Sequence, residues 1–145
     1  MDMRQLGLRL GVAMAAWCCF ACQSETRRPV YPVSGQVLYE GQPVAGALVA
    51  LLPLDERWSE RAIGRTDADG RFRLTTYLSN DGAPEGSYVV GISMAQEESG
   101  REDEDGNGRP SVIALPARYA QHRTSGLTAT IRPGINELPP FHLHR

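Results

Sequence analysis

From Val33 onward the apolar residues of this chain recur at every second position, a period that admits strands and excludes amphipathic helices. Val33, Gly35, Val37 and Tyr39 share one face of a first strand. Phe72, Leu74 and Thr76 alternate with Arg71, Arg73 and Thr75. Tyr88, Val90, Ile92 and Met94 alternate with Ser87, Val89, Gly91 and Ser93, and Leu127, Ala129 and Ile131 alternate with Thr128, Thr130 and Arg132. Each such strand buries one face and wets the other. After residue 22 no stretch carries a helical period, and Asp55 to Ala62 has room for a turn or two at most.

Turn residues punctuate these runs. Glu40-Gly41-Gln42-Pro43 separates the first strand from an apolar stretch, Ala47 to Pro53, which predicts a hairpin. A final strand is expected from Asn136 to His144, with Leu138 and Phe141 out of phase around Pro139-Pro140; two prolines cannot donate to a ladder, so it must lie at an edge or bend there. Six or seven short strands in about 110 residues predict an all-β, Greek-key sandwich, large enough to need neither metal nor disulfide.

The second strand departs from the pattern. Ala47, Val49 and Leu51 share one face, yet Leu48, Ala50 and Leu52 make the opposite face apolar too, and Leu54 continues it. Either the Asp55 to Ala62 segment or another part of the chain covers that face, or Leu48 and Leu52 meet a partner.

Ahead of the strands, Arg4 and Arg9 precede the apolar run Gly11 to Ala21, the layout of a secretory signal. The uncharged window from Leu10 to Ser24 is 15 residues, against about 20 for a transmembrane helix. Cys18, Cys19 and Cys22, the three cysteines, all fall here, so the remainder has no pair to bridge. Phe20-Ala21-Cys22 resembles the lipobox of bacterial lipoproteins, with a small residue directly before the cysteine, although Cys19 stands where an aliphatic residue is usual. The resemblance implies removal of residues 1–21 and acylation of Cys22, with firm membrane attachment because more than one chain is added. Gln23 after the cysteine suggests the outer membrane by similarity to lipoprotein sorting. Residues 22–32, polar and with two prolines, read as the lipidated cysteine and a solvated tether, its Arg27 and Arg28 within reach of head groups.

Candidate chemistry is sparse. Asp67-x-Asp69-Gly70 reads as a tight turn, Asp67 accepting from amides two residues on, rather than as a calcium loop. The acidic run from Glu97 to Gly108 places Asp103, Asp105 and Asn107 at calcium-loop spacing, but the twelfth position is Ala114 where a bidentate Glu belongs, so a solvated loop is expected. His142 and His144 share a strand face near the end and read as solvated, with His122 in a loop. The chain has no G-x-S-x-G, H-E-x-x-H, P-loop or G-x-G-x-x-G motif, so neither catalysis nor a cofactor is expected. Fifteen arginines against 17 acidic residues, with no lysine, lack the basic excess of a nucleic-acid binder. Trp58 and Tyr77, in or beside loops, are the candidates for stacking on a glycan; otherwise Trp58 caps the end of the sandwich.

Val33-Ser34-Gly35-Gln36-Val37, Pro43-Val44-Ala45-Gly46-Ala47, Thr66-Asp67-Ala68-Asp69-Gly70-Arg71-Phe72 and Gly86-Ser87-Tyr88-Val89-Val90, in that order, resemble the carboxypeptidase regulatory-like domain. Leu115-Pro116-Ala117-Arg118-Tyr119, Thr124-Ser125-Gly126-Leu127 and Gly134-Ile135-Asn136 resemble the closing part of its lipoprotein subgroup. The resemblance implies a transthyretin-like sandwich over residues 33–145, with Ala47, Val49 and Leu51 facing its core, in an envelope protein serving as an interaction or structural module, or as a carbohydrate-binding module. A ureide hydrolase shares that fold, but its C-terminal Tyr-Arg-Gly-Ser is absent here.

Overall fold

The computed structural model describes residues 27–94 and 114–145. The elements are β1 (Val30–Tyr31), β2 (Val33–Tyr39), β3 (Gln42–Pro43), β4 (Ala47–Pro53), β5 (Ala62–Arg65), β6 (Arg71–Arg73), β7 (Ala83–Pro84), β8 (Gly86–Met94), α1 (Ala117–Ala120), β9 (Leu127–Ile131), β10 (Asn136–Glu137) and β11 (Phe141–Leu143). The chain is an all-β sandwich. One sheet has the order β5-β4-β8-β9, all antiparallel. The other is built on β2, with β3 and β6 antiparallel on one side and β10 and β11 parallel on the other. The small pair β1-β7 makes a third, two-stranded sheet.

The chain passes between the two large sheets at four connections, so β8 returns beside β4 and β11 beside β2. Crossed connectivity of this kind is what the Greek-key reading expects. On one flank the sheets are stitched together where Ile63 and Thr75 exchange both main-chain hydrogen bonds, at 2.9 and 2.7 Å. The core lies between the sheets and follows the period-two pattern. Val33, Val37, Phe72, Leu74, Phe141 and Leu143 come from one side, and Val49, Leu51, Tyr88, Val90, Ile92 and Ile131 from the other. Phe72 and Phe141 stack across β2 with ring centroids 6.2 Å apart, a geometry aromatic pairs favour.

Several local expectations meet their physical reasons. β4 spans the expected Ala47–Pro53. The Asp67 carboxylate accepts from Asp69 N and Arg71 N, both at 2.9 Å, and Gly70 takes φ 71°, which favours glycine. The final strand is split by Pro139-Pro140 into β10 and β11 and lies at a sheet edge.

Four features differ from the sequence reading. The hairpin expected between the first strand and Ala47 to Pro53 does not form: Gln42–Pro43 is itself a short strand that turns back on β2, and β4 crosses to the other sheet, where it pairs with β5 and β8. Val30 and Tyr31, read as tether, pair with Pro84 and Ala83. The closing strands run parallel to β2, which no local pattern encodes. Ala117–Ala120 forms a single helical turn, α1, too short to leave a periodic signature. Tyr119 drops from α1 into the core, where its hydroxyl accepts from His144 N at 3.0 Å and from Arg118 Nη2 at 3.1 Å. These donors hold the phenol below its ordinary range, outweighing burial. No described helix is long and apolar enough to cross a membrane.

Candidate functional site

The polar and aromatic residues that the strands leave over gather at one end of the sandwich, where β4 ends and β8 begins. Leu54 N bonds Ser87 O at 2.9 Å, seating the loop that follows β4 against the start of β8. Asp55 turns that loop. Its Oδ1 accepts Arg57 N at 3.1 Å, and the Arg57 guanidinium grips both carboxylate oxygens, Nη2 to Oδ2 at 2.6 Å. The Arg57 side-chain bond, then its backbone bond, hold the Asp55 carboxyl down to about 2. Both groups are largely in water, so this pair shapes the turn more than it stabilises the fold. Trp58 N closes the turn onto Asp55 O at 3.0 Å.

Onto this end the residues preceding β1 fold back. The Arg28 guanidinium lies over the Trp58 ring, 4.1 Å from its centroid, while Arg28 Nη2 donates to Glu85 O at 2.6 Å. Arg27 lies 5.3 Å from the centroid of Tyr77, whose hydroxyl bonds Glu60 Oε1 at 3.4 Å. Cations attract ring faces in this geometry. A cavity of about 470 Å³ results, lined by Arg28, Leu54, Asp55, Trp58, Glu85 and Tyr88 among others. Tyr88 forms its floor; burial pushes its phenol up, and its hydroxyl donates to Pro84 O at 2.7 Å.

The neighbouring loop is ordered by Asp81. Its Oδ1 accepts Thr76 N at 2.7 Å and its Oδ2 accepts Tyr77 N and Leu78 N at 2.9 and 2.7 Å. Burial acts to raise the Asp81 carboxyl, but these backbone donors prevail and hold it below its ordinary value. Asp81→Ala should therefore cost about 2 kcal/mol at neutral pH, since three N–H groups lose their acceptor. Because the folded pKa lies below the unfolded one, the contribution is whole above the unfolded value and disappears as pH falls through the folded one. Chemical denaturation at neutral and acidic pH checks it: the gap between wild type and variant should narrow in acid.

The residues proposed from sequence fall in separate places. Cys22, Asp103, Asp105 and Asn107 lie outside the described residues. Trp58 stands at the end of the sandwich, 39% exposed, and a sugar ring reaches its Arg28-covered face only by displacing the guanidinium. Leu48 and Leu52 are half-buried on the outer face of β4, with Leu48 beside Arg65 and Ser93 toward the opposite end of the sheet from Trp58. On that face Ala50 sits between Ile63 and Gly91. Gly91 is buried because α1 crosses it, a Cβ there meeting Ala120 O at 3.4 Å, whereas Ile63 is 46% exposed. The cover that the described residues provide thus comes from α1, and it is partial. His122, His142 and His144 are exposed. Arg28 is the residue whose part sequence reasoning missed. A solvated tether and a docked one have the same composition, and the only signal was an arginine pair with aromatic residues elsewhere in loops.

Fold and site together define an all-β sandwich with an arginine-held arm at one end. No family model matches the chain, and no curated protein does. Among solved structures the chain is similar to a DUF3823 family protein from Parabacteroides merdae, at 17% identity and a TM-score of 0.40, over 81% of this chain and 46% of that one. The chain therefore spans less than half the length of that protein.

Proposed function

We propose that this chain is a lipid-anchored cell-envelope protein, acylated on Cys22, whose sandwich acts as a non-catalytic interaction or structural module at the outer membrane. The observation that supports this reading is the seating of Arg27 and Arg28 on the sandwich, which leaves only residues 23–26 in sequence between the packed domain and Cys22. The polar side chains buried among the described residues, Thr66 and Ser125, also support it. Thr66 Oγ1 accepts Ala47 N at 2.7 Å, and Ser125 Oγ donates to His122 O at 3.3 Å. Both are engaged by main chain and neither is poised as a nucleophile.

Cys22→Ser should abolish acylation and move the protein from the membrane to the soluble fraction. Intact mass and fractionation on a density gradient check it. A wild-type protein that begins at another residue, or that carries no added lipid mass, overturns the reading.

A further inference from the structure

Leu54, Trp58 and Leu78 are 56%, 39% and 68% exposed, and all three stand around the place where the arm docks. Leu54 and Trp58 line the cavity with Arg28, and Leu78 follows Tyr77, the ring facing Arg27. Large exposed apolar side chains grouped at one end of a domain mark a contact surface. Chain length states what that surface meets. Cys22 precedes Arg28 by six residues, a reach of about 20 Å at full extension. β8 starts at this end with Gly86 and runs nine residues to Met94, so the far end lies about 30 Å further from the arm.

We propose that the Trp58 end of the sandwich faces the bilayer, with Leu54, Trp58 and Leu78 entering the interfacial layer and the Arg28 clasp fixing that orientation. The inference rests on acylation of Cys22. Tryptophan suits this layer, having an apolar body and a polar N–H. The charges at this end balance: Arg27, Arg28, Arg57, Arg61 and Arg132, the last following the Ile131 that pairs with Gly86, stand against Asp55, Glu56, Glu60, Asp81 and Glu85. Contact is therefore driven by apolar burial together with the anchor, and it needs no anionic lipid. The seated arm also distinguishes this arrangement from a domain swinging freely on a tether, in which every face would meet the membrane equally often.

The chain has two tryptophans, Trp17 and Trp58, and processing before Cys22 leaves Trp58 alone as a reporter. The lipoprotein purified from membranes is reconstituted into phosphatidylcholine vesicles carrying a nitroxide near the top of the acyl chain. Side chains inserted about 5–10 Å into the interface meet that nitroxide, so Trp58 emission should fall about twofold relative to unlabelled vesicles. The drop should persist in high salt. Arg28→Ala should leave flotation with vesicles intact and abolish most of the quenching. Leu54→Ser with Leu78→Ser, at two exposed positions that the fold does not need, should weaken it likewise. Protein that carries lipid mass and floats, yet shows unquenched Trp58, overturns this inference and leaves the anchoring reading standing. Protein that neither carries lipid nor floats overturns the anchoring reading and this inference with it. Quenching untouched by either set of changes overturns the assignment of these residues.

Discussion

Gly82→Ala should destabilise the domain by about 3 kcal/mol or more, placing it among the severe backbone substitutions. Gly82 holds φ 98°, a region that costs an L residue about 1 kcal/mol or more. The larger cost is steric. A Cβ at this position would run into the carbonyl of Tyr31 and come within 2.9 Å of Pro32 Cα. These are main-chain atoms and cannot rotate away. Gly82 is also pinned from both sides, its N–H donating to Leu74 O at 2.9 Å and its carbonyl accepting Thr76 Oγ1 at 2.7 Å. Relief therefore requires breaking the β1-β7 pair, which aligns Tyr31 with Ala83. Gly134→Ala is the control. Its φ is 107°, but nothing stands within 4 Å of the added carbon, so only the conformational cost of about 1 kcal/mol should appear. Urea unfolding of both variants measures the difference, and equal losses would show that Tyr31 does not pass so close to Gly82.

Leu51→Ala should cost about 3 kcal/mol, within the range of core leucine truncations. Leu51 is fully buried on β4, flanked by Ala62 of β5 and Val90 of β8. The joint change Leu48→Ser with Leu52→Ser removes twice as many leucines and should cost less. Each is half-buried, so each gives up only part of its transfer energy, about 1 kcal/mol. Chemical denaturation ranks the two variants. If the double change is the more damaging, the outer face of β4 is covered rather than half open. The position of Ile63, exposed beside Ala50, argues for the half-open face.

These two cases separate what the chain's local pattern holds from what it does not. Alternation put Leu51 and Leu52 on opposite faces, because successive side chains on a strand point to opposite sides; with both faces apolar, only the family resemblance implied that Leu51 points inward. Nothing local in Asn80-Asp81-Gly82-Ala83 indicates that the Tyr31 carbonyl lies against Gly82, since that neighbour is about fifty residues away in sequence. The same holds for the candidate site. The tether's polar composition was visible, but Arg28 bonds Glu85, 57 positions distant, and its position over Trp58 depends on the loop that Asp55 and Arg57 shape.

The sequence by itself determined the all-β class, the inward residues of β2, β8 and β9, the Asp67 turn and the break at Pro139-Pro140. Each follows from a rule of short range: the strand period, a carboxylate that reaches amides two residues on, or a proline without an N–H. Only the tertiary structure decided that β10 and β11 run parallel to β2, that α1 crosses Gly91, that Tyr119 enters the core, and that Arg27 and Arg28 close onto Tyr77 and Trp58. Those outcomes join segments brought together by burial of the shared core, and burial is non-directional: it rewards any compact pairing of apolar faces. The choice among such pairings is made by contacts that exist only once the chain has folded.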